Sequence, residues 1–304
     1  MNADDLRDPP PNYRYIAGGS EALAQQERGR AAIAPASDES APPLDIVYLF
    51  RHSKQGDQEI LYSLRSVAKH APFVRKVWVL GDRPEWLAED KAIFEHVPHE
   101  YLAPLVGFKT PVRSDFLMLL LGSLIPGLAF DFLRFSDDYI LLQPLPRQKL
   151  CTVRALEDLN QKTNRGSGKW KAMLWNTFDI LKRYGYAGYN FETHVPQPYT
   201  RQLVFEAYMA FREFLTEERH VGLHAPTAIY NYGLKHQDLR FAWLAEERSK
   251  VGLYGSGTTG SSAEDIAAAC EGKLFLNYDD AAFGPPMLRF LQQKFPEPCQ
   301  FERT

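Results

Sequence analysis

Cysteine is scarce in this chain, and long apolar runs are missing. The three cysteines, Cys151, Cys270 and Cys299, are widely separated in 304 residues and follow no metal-binding spacing. This pattern excludes a disulfide framework and indicates a reducing, cytoplasmic location. The longest apolar run covers residues 116–121, whereas a bilayer span needs about 20 such residues. The sequence therefore predicts no membrane span.

Neither sign of charge dominates the composition, and the beginning of the sequence is not apolar. The formal net charge is −3, which argues against a general binder of nucleic acid. The acidic character of residues 1–5 predicts that they are not a signal peptide. Aromatic residues make up 13% of the chain. This content suits stacking against sugars or nucleobases as well as packing in a core.

Turn-forming residues separate an N-terminal tail from the part predicted to fold. Residues 1–43 are rich in proline, with one short helix predicted over 21–33. From residue 44 onward, buried strands alternate with amphipathic helices, which predicts an α/β fold with a parallel βαβ unit. Strands are predicted over 45–50, 74–80, 94–97 and 273–276, and helices over 58–69, 114–125, 170–184, 199–215, 225–234 and 286–294.

Two adjacent acids interrupt an apolar part of the chain. Asp137 and Asp138 lie between the strand-like stretches 132–135 and 139–142. Carboxylates between buried strands need a cationic partner, and hard divalent cations take oxygen ligands. The pattern therefore predicts a Mg²⁺ or Mn²⁺ site that holds a diphosphate. An acidic turn between the two strands of a hairpin is the structural alternative.

Four separated stretches carry a recognisable family pattern. They are Asp-Ile-Val-Tyr at 45–48, a long region from Leu-Tyr-Ser-Leu-Arg-Ser-Val at 61–67 to Phe-Ser-Asp-Asp at 135–138, Thr-His-Val-Pro-Gln-Pro-Tyr at 193–199, and Phe-Leu-Asn-Tyr-Asp-Asp at 275–280 with Phe-Pro-Glu-Pro-Cys-Gln-Phe-Glu at 295–302. In this order they resemble the Stealth family of sugar-phosphate transferases. That family includes bacterial capsule enzymes and the animal lysosomal-enzyme N-acetylglucosamine-1-phosphotransferase.

The resemblance implies a fold and an activity. It implies a GT-A-like, nucleotide-sugar-binding mixed sheet flanked by helices, with a more helical C-terminal half. We expect one catalytic domain over 44–302, in which 44–150 binds the nucleotide-sugar and 151–302 binds the acceptor. Members transfer sugar-1-phosphate from a UDP- or CDP-type donor to an acceptor hydroxyl in polysaccharide biosynthesis. The expected acceptor is therefore a glycan rather than a nucleic acid.

By position, the resemblance also implies roles for five polar residues. Asp137 and Asp138 match the family's acidic pair, which implies that they hold the metal and that Asp138 lies at the catalytic centre. His194, Arg219 and Asn277 fall on the other polar positions of the family. A histidine with a pKa near 6.5 can remove a hydroxyl proton at neutral pH. An arginine can neutralise phosphate through two parallel hydrogen bonds.

Other readings of these positions stay open. The Val-Pro dipeptide after His194 predicts an extended backbone with the ring facing a cleft, although a buried structural histidine also fits. Arg219 fits a solvated charge at a helix end as well as a catalytic role. Asn277 is predicted to contact the cofactor or the acceptor, and Asp279 is predicted as a further metal ligand.

Two loops depart from the family pattern and carry additional positive charge. Residues 49–53 stand where other members have Trp-Val-Asn/Asp-Gly, and residues 109–114 stand where they have Pro-Thr-Phe-Asn/Ser-Ser. Both loops lie on the donor side of the site that the resemblance implies. Arg51, Lys109 and Arg113 are therefore predicted to contact the phosphates of the donor.

The sequence leaves alternatives for one residue and for the reaction. Asp45, at the start of the first strand, is predicted either to touch the nucleotide or to cap the strand. Cationic loops could hold a whole diphosphate as the leaving group, so ordinary glycosyl transfer to a glycan or to a modified nucleobase hydroxyl is the first alternative activity. A non-catalytic glycan- or nucleotide-binding protein is the second.

Overall fold

Two sheets, with the helices that pack on them, position the candidate site. The predicted helix over 21–33, with most of the predicted tail, lies outside the part of the chain that the structure describes. The described residues, taken from a computed structural model, are 41–53, 56–247, 249–255 and 261–303.

The larger sheet is mixed. The strands are β1 Leu44–Phe50, β2 Lys76–Gly81, β3 Phe94–Val97, β4 Asp131–Phe135, β5 Ile140–Leu141, β6 Arg154–Ala155, β7 Glu157–Asp158, β8 Tyr189–Asn190, β9 Gln197–Thr200, β10 Ala242–Trp243, β11 Lys250–Leu253 and β12 Phe275–Tyr278. The larger sheet has the order β3-β2-β1-β4-β9, with β9 antiparallel and the other strands parallel. A smaller sheet has the order β11-β12-β5. Two short pairs, β10-β6 and β7-β8, complete the strands.

Helices of different lengths cover both sheets. They are α1 Gln58–His70, α2 His99–Leu102, α3 Asp115–Ser123, α4 Arg147–Leu150, α5 Lys169–Arg183, α6 Arg201–Phe211, α7 Ala225–His236, α8 Leu244–Glu247, α9 Ala263–Cys270 and α10 Pro285–Lys294. The predicted parallel unit is confirmed, because α1 connects the paired strands β1 and β2. Among the described residues, we find no helix with the length and apolar content needed to cross a bilayer.

Each face of the larger sheet has its own hydrophobic core. Successive side chains along a strand point to opposite faces. Ile46 and Tyr48 therefore pack with α1, whereas Val47 packs on the opposite face with α3, α6 and α7. The smaller sheet packs against α9 and α10. This arrangement confirms the predicted α/β class, with a mixed sheet flanked by helices and a more helical C-terminal half.

The acidic pair lies in the connection between the two sheets. β4 belongs to the larger sheet, but β5, which follows the acids, pairs with β12 in the smaller one. The hairpin alternative is therefore wrong, because β4 and β5 are not partners. The backbone N–H of Leu141 donates to the Ser66 hydroxyl of α1 at 3.0 Å, which fixes the start of β5.

The last described residues return to α1. Arg65 makes two parallel hydrogen bonds to the Glu302 carboxylate, from Nε to Oε1 at 2.8 Å and from Nη2 to Oε2 at 2.7 Å. A third bond joins Arg65 Nη1 to the carbonyl of Phe295 at 2.9 Å. Both charged side chains are largely buried. This fork fastens the predicted Phe-Pro-x-Pro-x-x-Phe-Glu stretch to the first helix.

Several element boundaries differ from the prediction, and two of the differences are informative. The helix predicted over 199–215 begins only at Arg201, because residues 197–200 pair with β4 as an edge strand. The Thr200 hydroxyl then accepts a hydrogen bond from Leu203 N at 2.9 Å and caps the helix. The last strand lies two residues later than predicted, at Phe275–Tyr278.

Asp45 has a structural role, which corrects the prediction that it touches the nucleotide. Its buried carboxylate accepts hydrogen bonds from Arg75 Nε at 2.8 Å, Trp78 Nε1 at 2.9 Å and Ala129 N at 2.9 Å. Asp45 also lies at the amino end of β1, whereas the acidic pair follows the carboxyl end of the parallel neighbour β4. The carboxylate therefore ties three segments together at the edge of the sheet away from the acids.

Asp45→Asn is expected to lower the free energy of unfolding by about 2–4 kcal/mol, because buried donors lose a charged acceptor. Urea denaturation measures this change. Arg83→Gln, which breaks an exposed pair with Glu89, is the control and should cost less than about 1 kcal/mol. Equal losses in the two variants would contradict a structural role for Asp45, as would a folded Asp45→Asn protein with weakened nucleotide binding.

Candidate functional site

The carboxyl ends of the parallel strands meet beside the acidic pair. Asp137 and Asp138 follow β4, and the loop that holds Arg51 and His52 follows the adjacent β1. His52 N donates to the Asp82 carboxylate after β2 at 2.8 Å, which joins two of the loops. This edge is where open α/β sheets usually bind ligands. Arg51 is exposed there.

Asn277 reaches the acidic pair from the second sheet. Its side-chain amide donates from Nδ2 to Asp138 Oδ2 at 3.2 Å, and its own Oδ1 accepts from the Tyr254 hydroxyl at 3.3 Å. Asn277 is almost fully buried. The structure thus brings together two sequence-predicted positions that lie 139 residues apart in the chain.

The two acids carry an electrostatic cost that a cation would relieve. Burial, followed by the neighbouring charge of Asp137, raises the pKa of Asp138 to about 7. Burial also raises the pKa of Asp137. Oxygen ligands of this kind suit Mg²⁺ or Mn²⁺. The donor set therefore fits the predicted metal, with Asp137 and Asp138 as the two residues that would hold it.

Asp279 does not complete a three-carboxylate site. Its Oδ1 accepts hydrogen bonds from Gly255 N and from Ala282 N, both at 2.8 Å, so it stabilises the turn after β12. Within the described ranges, no group of three or more His, Cys, Asp or Glu side chains is arranged to hold a metal ion. This corrects the prediction for Asp279. Ligands beyond the acidic pair would have to come from a bound diphosphate or from water.

His194 lies in the loop between β8 and β9. Its φ is +51°, in the left-handed region, so the predicted extended backbone is wrong. The proline at 196 restricts only the residue directly before it, Val195, and leaves His194 unconstrained. Non-glycine residues rarely adopt this conformation, and those that do are often found at functional sites.

A glutamate that the sequence analysis missed lies beside this histidine. Glu192 Oε1 lies 3.5 Å from His194 Nδ1, and Glu192 Oε2 pairs with Nε2 of the buried His224. His224 Nδ1 is in turn 2.8 Å from the Thr227 hydroxyl on α7. Burial favours the neutral acid, but the charge and hydrogen bond of His224 outweigh it and lower the pKa of Glu192 to about 2. In the sequence, only the separation of Glu192 and His194 by a single residue could have indicated that the two side chains act together.

The surroundings keep His194 neutral at ordinary pH. Burial lowers its pKa, although the charge of Glu192 opposes the shift. A proton on Nδ1 facing Glu192 leaves the Nε2 lone pair available. His194 can therefore accept a proton at neutral pH.

Two cations that the sequence analysis also missed lie in this region. Lys250, the first residue of β11, donates from Nζ to the carbonyl of Thr193 at 2.9 Å, directly before His194. Arg134 of β4 donates from Nη1 to the Tyr139 hydroxyl at 3.3 Å. Both side chains are half-buried. No local pattern indicates either cation, because each lies in an otherwise ordinary strand.

The remaining predicted cations form a separate rim. Arg113 N donates to the Glu217 carbonyl at 2.9 Å, and Lys109 N donates to the Glu217 carboxylate at 3.2 Å. Arg219 is exposed in the same segment. In the described part of the chain, Arg219 makes no hydrogen bond to the acidic pair or to His194. The predicted catalytic contact of Arg219 is thus not formed. Arg219 instead lies at the surface with Lys109 and Arg113, the two loop residues predicted to contact the donor.

A cavity of about 560 Å³ lies away from these groups. It is lined by the ends of α9 and α10, including Cys270 and Lys294, on the outer side of the smaller sheet. Neither the acidic pair nor His194 borders it. We place the candidate site by its charged groups rather than by this cavity.

Comparison with known proteins bears on this region directly. Residues 53–158, which contain the acidic pair, match the family model for Stealth protein CR2, conserved region 2. An exopolysaccharide phosphotransferase of Nocardia farcinica is 24% identical over 278 residues, which cover 81% of this chain and 53% of the relative. A capsular polysaccharide phosphotransferase of Actinobacillus pleuropneumoniae is 27% identical over 125 residues, 36% of this chain and 32% of the relative. These matches confirm the resemblance predicted from the sequence.

The chain spans about half or less of the length of these two relatives. Among solved structures, the galactosyltransferase LgtC in complex with donor and acceptor sugar analogs is 15% identical, with a TM-score of 0.44. The match covers 84% of this chain and 98% of LgtC. At this overlap the structural likeness does not by itself assign a function.

Asp138→Asn is expected to abolish Mn²⁺-dependent binding of UDP or CDP without destabilising the protein at pH 8. The pKa of Asp138 is raised to about 7 in the folded state, so its ionisation costs stability progressively as the pH rises from about 4 to about 7, and the full cost remains above pH 7. Any gain in stability should therefore shrink as the pH falls from 8 toward 4. Calorimetric titration and urea unfolding measure both effects.

Asp90→Asn, which changes an exposed acid far from the pair, is the control for this experiment. It should leave metal-dependent binding intact. If Asp138→Asn binds Mn²⁺ and nucleotide like the wild type, the acidic pair is not the metal site.

Proposed function

We propose that this protein, a divergent member of the Stealth family, is a nucleotide-sugar-dependent transferase that moves sugar-1-phosphate to an acceptor hydroxyl. The expected donor is a UDP- or CDP-type sugar, and the expected acceptor is a glycan. A GT-A-like catalytic domain over 44–302 and a cytoplasmic location belong to the same proposal. The phosphotransferase names of its relatives support it.

One observation carries the proposal. A carboxylate pair suited to a divalent cation and a neutral histidine beside Glu192 are connected through two side chains. The centres of the His194 and Tyr254 rings are 6.4 Å apart. Asn277 accepts from the Tyr254 hydroxyl and donates to Asp138. Binding of a diphosphate donor needs the carboxylate pair with its cation, and deprotonation of an acceptor hydroxyl needs the histidine. A protein that only bound a glycan or a nucleotide would not need both.

The proposed reaction divides the work between these groups. The acceptor hydroxyl gives its proton to Nε2 of His194, while Glu192 holds the Nδ1 proton in place. The acceptor oxygen forms a bond to the sugar-bearing phosphorus, and the bond from that phosphorus to the bridging oxygen breaks. A nucleoside monophosphate leaves, and the sugar stays joined to the acceptor through a phosphodiester. Asp137 and Asp138 would hold Mg²⁺ or Mn²⁺, which offsets the negative charge of the leaving nucleotide.

Ordinary glycosyl transfer is the second candidate function. It is favoured by the rim of Lys109, Arg113 and Arg219, which could grip a whole diphosphate as the leaving group. The released nucleotide separates the two reactions. Mass detection of UMP or CMP, with phosphorus retained on the acceptor, supports phosphoryl transfer. Release of UDP or CDP, with a phosphorus-free product, contradicts it and supports glycosyl transfer.

His194→Ala is expected to lower kcat by about 10²–10⁴-fold, the usual contribution of a general base. Donor affinity should change little, since the ring acts on the acceptor. Steady-state kinetics and donor titration measure the two effects. His236→Ala, an exposed histidine at the end of α7, is the control. A large loss of donor affinity with kcat preserved would refute the role of His194.

Glu192→Gln is expected to lower kcat and to move the acid limb of its pH profile to lower pH. The charge of Glu192 raises the pKa of His194 against burial, so its removal lets that pKa fall further. The cations Lys250, Arg134 and His224 also act on His194 and remain in the variant. A pH–rate profile between pH 4 and 8 measures the shift.

Glu157→Gln is the matched control for this variant, because Glu157 is paired with Lys162 instead. Its acid limb should coincide with that of the wild type. If Glu192→Gln is only less stable, with an unmoved acid limb, Glu192 does not position His194.

A further inference from the structure

Arg134 is a half-buried cation that the proposed reaction has not used. It belongs to β4, and its face of the strand is the one that packs toward α6 and α7. Its guanidinium donates to the Tyr139 hydroxyl at 3.3 Å, and its carbon Cζ lies 5.9 Å from the centre of the Tyr139 ring. No carboxylate in the described ranges forms an ion pair with it; Asp115 and Glu192 act on it only at longer range.

Lys250 repeats this pattern from the opposite side. Its ammonium donates to the backbone carbonyl of Thr193 at 2.9 Å and, among the residues that the structure describes, to no carboxylate. Burial lowers its pKa to about 8, although the charges of Glu192 and Asp138 oppose the shift. Two of the three protons of the ammonium have no described partner.

Both cations lie close enough to the acidic pair and to the histidine for their charges to act on these groups. The charge of Arg134 acts on Asp138 and also on Glu192 and His194. The charge of Lys250 acts on His194, and Asp138 in turn acts on Lys250. The course of the backbone supports this proximity. Arg134 lies in β4, three residues before Asp137, and Lys250 is hydrogen-bonded to Thr193, the residue before His194.

The neighbouring carboxylates that the structure describes act on these two cations without forming an ion pair with either, so an anion that contacts both directly would be bound favourably. A cation that is taken out of water without a counter-charge destabilises the folded protein, so such groups are usually paired. A guanidinium matches the oxygens of a phosphate in two-point contact, and an ammonium adds a compact point charge. The space between a diphosphate-binding acidic pair and a general base is also where the reacting phosphorus would lie.

We propose that Arg134 and Lys250 form a subsite for the phosphoryl group that is transferred, with anionic phosphate oxygens as its ligand. This inference rests on the proposed function, because it takes the acidic pair as the site of the donor diphosphate. In it, the two cations hold the outer, sugar-bearing phosphate, and the acidic pair serves the diphosphate as a whole. They bind and orient that phosphate and take no proton from the acceptor.

The test compares a nucleoside diphosphate with a nucleoside monophosphate. The probes are UDP with UMP, and CDP with CMP, each titrated calorimetrically with Mn²⁺ into wild type, Arg134→Gln and Lys250→Met. Each variant should lose about tenfold or more in affinity for the diphosphate that the wild type binds, the usual effect of removing a charge-assisted hydrogen bond. Affinity for the monophosphate should change less than about threefold, since it lacks the outer phosphate.

Two further variants sharpen the result. Arg134→Lys should recover part of the lost diphosphate affinity, and Arg165→Gln, an exposed arginine paired with Asp179, should behave as wild type. If Arg134→Gln fails to fold, Lys250→Met carries the comparison alone. Equal losses for the diphosphate and the monophosphate, or no loss for the diphosphate, would overturn the subsite. So would a wild-type protein that binds neither diphosphate.

The identity of the released nucleotide keeps this inference separate from the proposed function. If diphosphate affinity depends on Arg134 and Lys250 but the enzyme releases a nucleoside diphosphate, the subsite stands and phosphoryl transfer falls. If the enzyme releases a nucleoside monophosphate and both variants bind the diphosphate as wild type does, phosphoryl transfer stands and the subsite falls.

Discussion

The buried repulsion between Asp137 and Asp138 is the constraint around which the rest of the structure is arranged. The two neighbouring carboxylates follow β4, in surroundings where burial raises the pKa of both. A fold keeps such an arrangement only where other groups offset it or where a ligand will. Here the offsetting groups come from distant parts of the chain. Asn277 donates from the second sheet, and the charge of Arg134 acts from the preceding strand.

The parts of the fold that depend on local patterning could be predicted from the sequence. The alternation of buried strand and amphipathic helix over β1, α1 and β2 indicated a parallel unit, because short-range periodicity determines it. The acidic pair could be found because its neighbours are apolar. Asp45 was misassigned, because the sequence does not show that its carboxylate is buried against Arg75 and Trp78.

Groups brought together by long-range packing could not be predicted in the same way. Glu192 and His224 are paired across a gap of 32 residues, and Lys250 meets Thr193 across 57. Nothing in the sequence near any of them indicates the partner. The course of the chain after the acids could not be predicted either, because only the pairing of β5 with β12 excludes a hairpin. His194 was found through the family resemblance, and its glutamate became visible only in three dimensions.

The tie between Arg65 and Glu302 has a consequence for the order in which the protein can assemble during synthesis. The two residues are 237 positions apart, and β5 likewise waits for β12, which is made near the end of the described chain. Contacts of such long separation form late, because a large loop must close before they are gained. A partly synthesised chain would hold the acidic pair without Asn277 and without the second sheet. The charged site is therefore completed only after β12 has been made, and an intermediate that lacks β12 would not yet present Asn277 to the acidic pair.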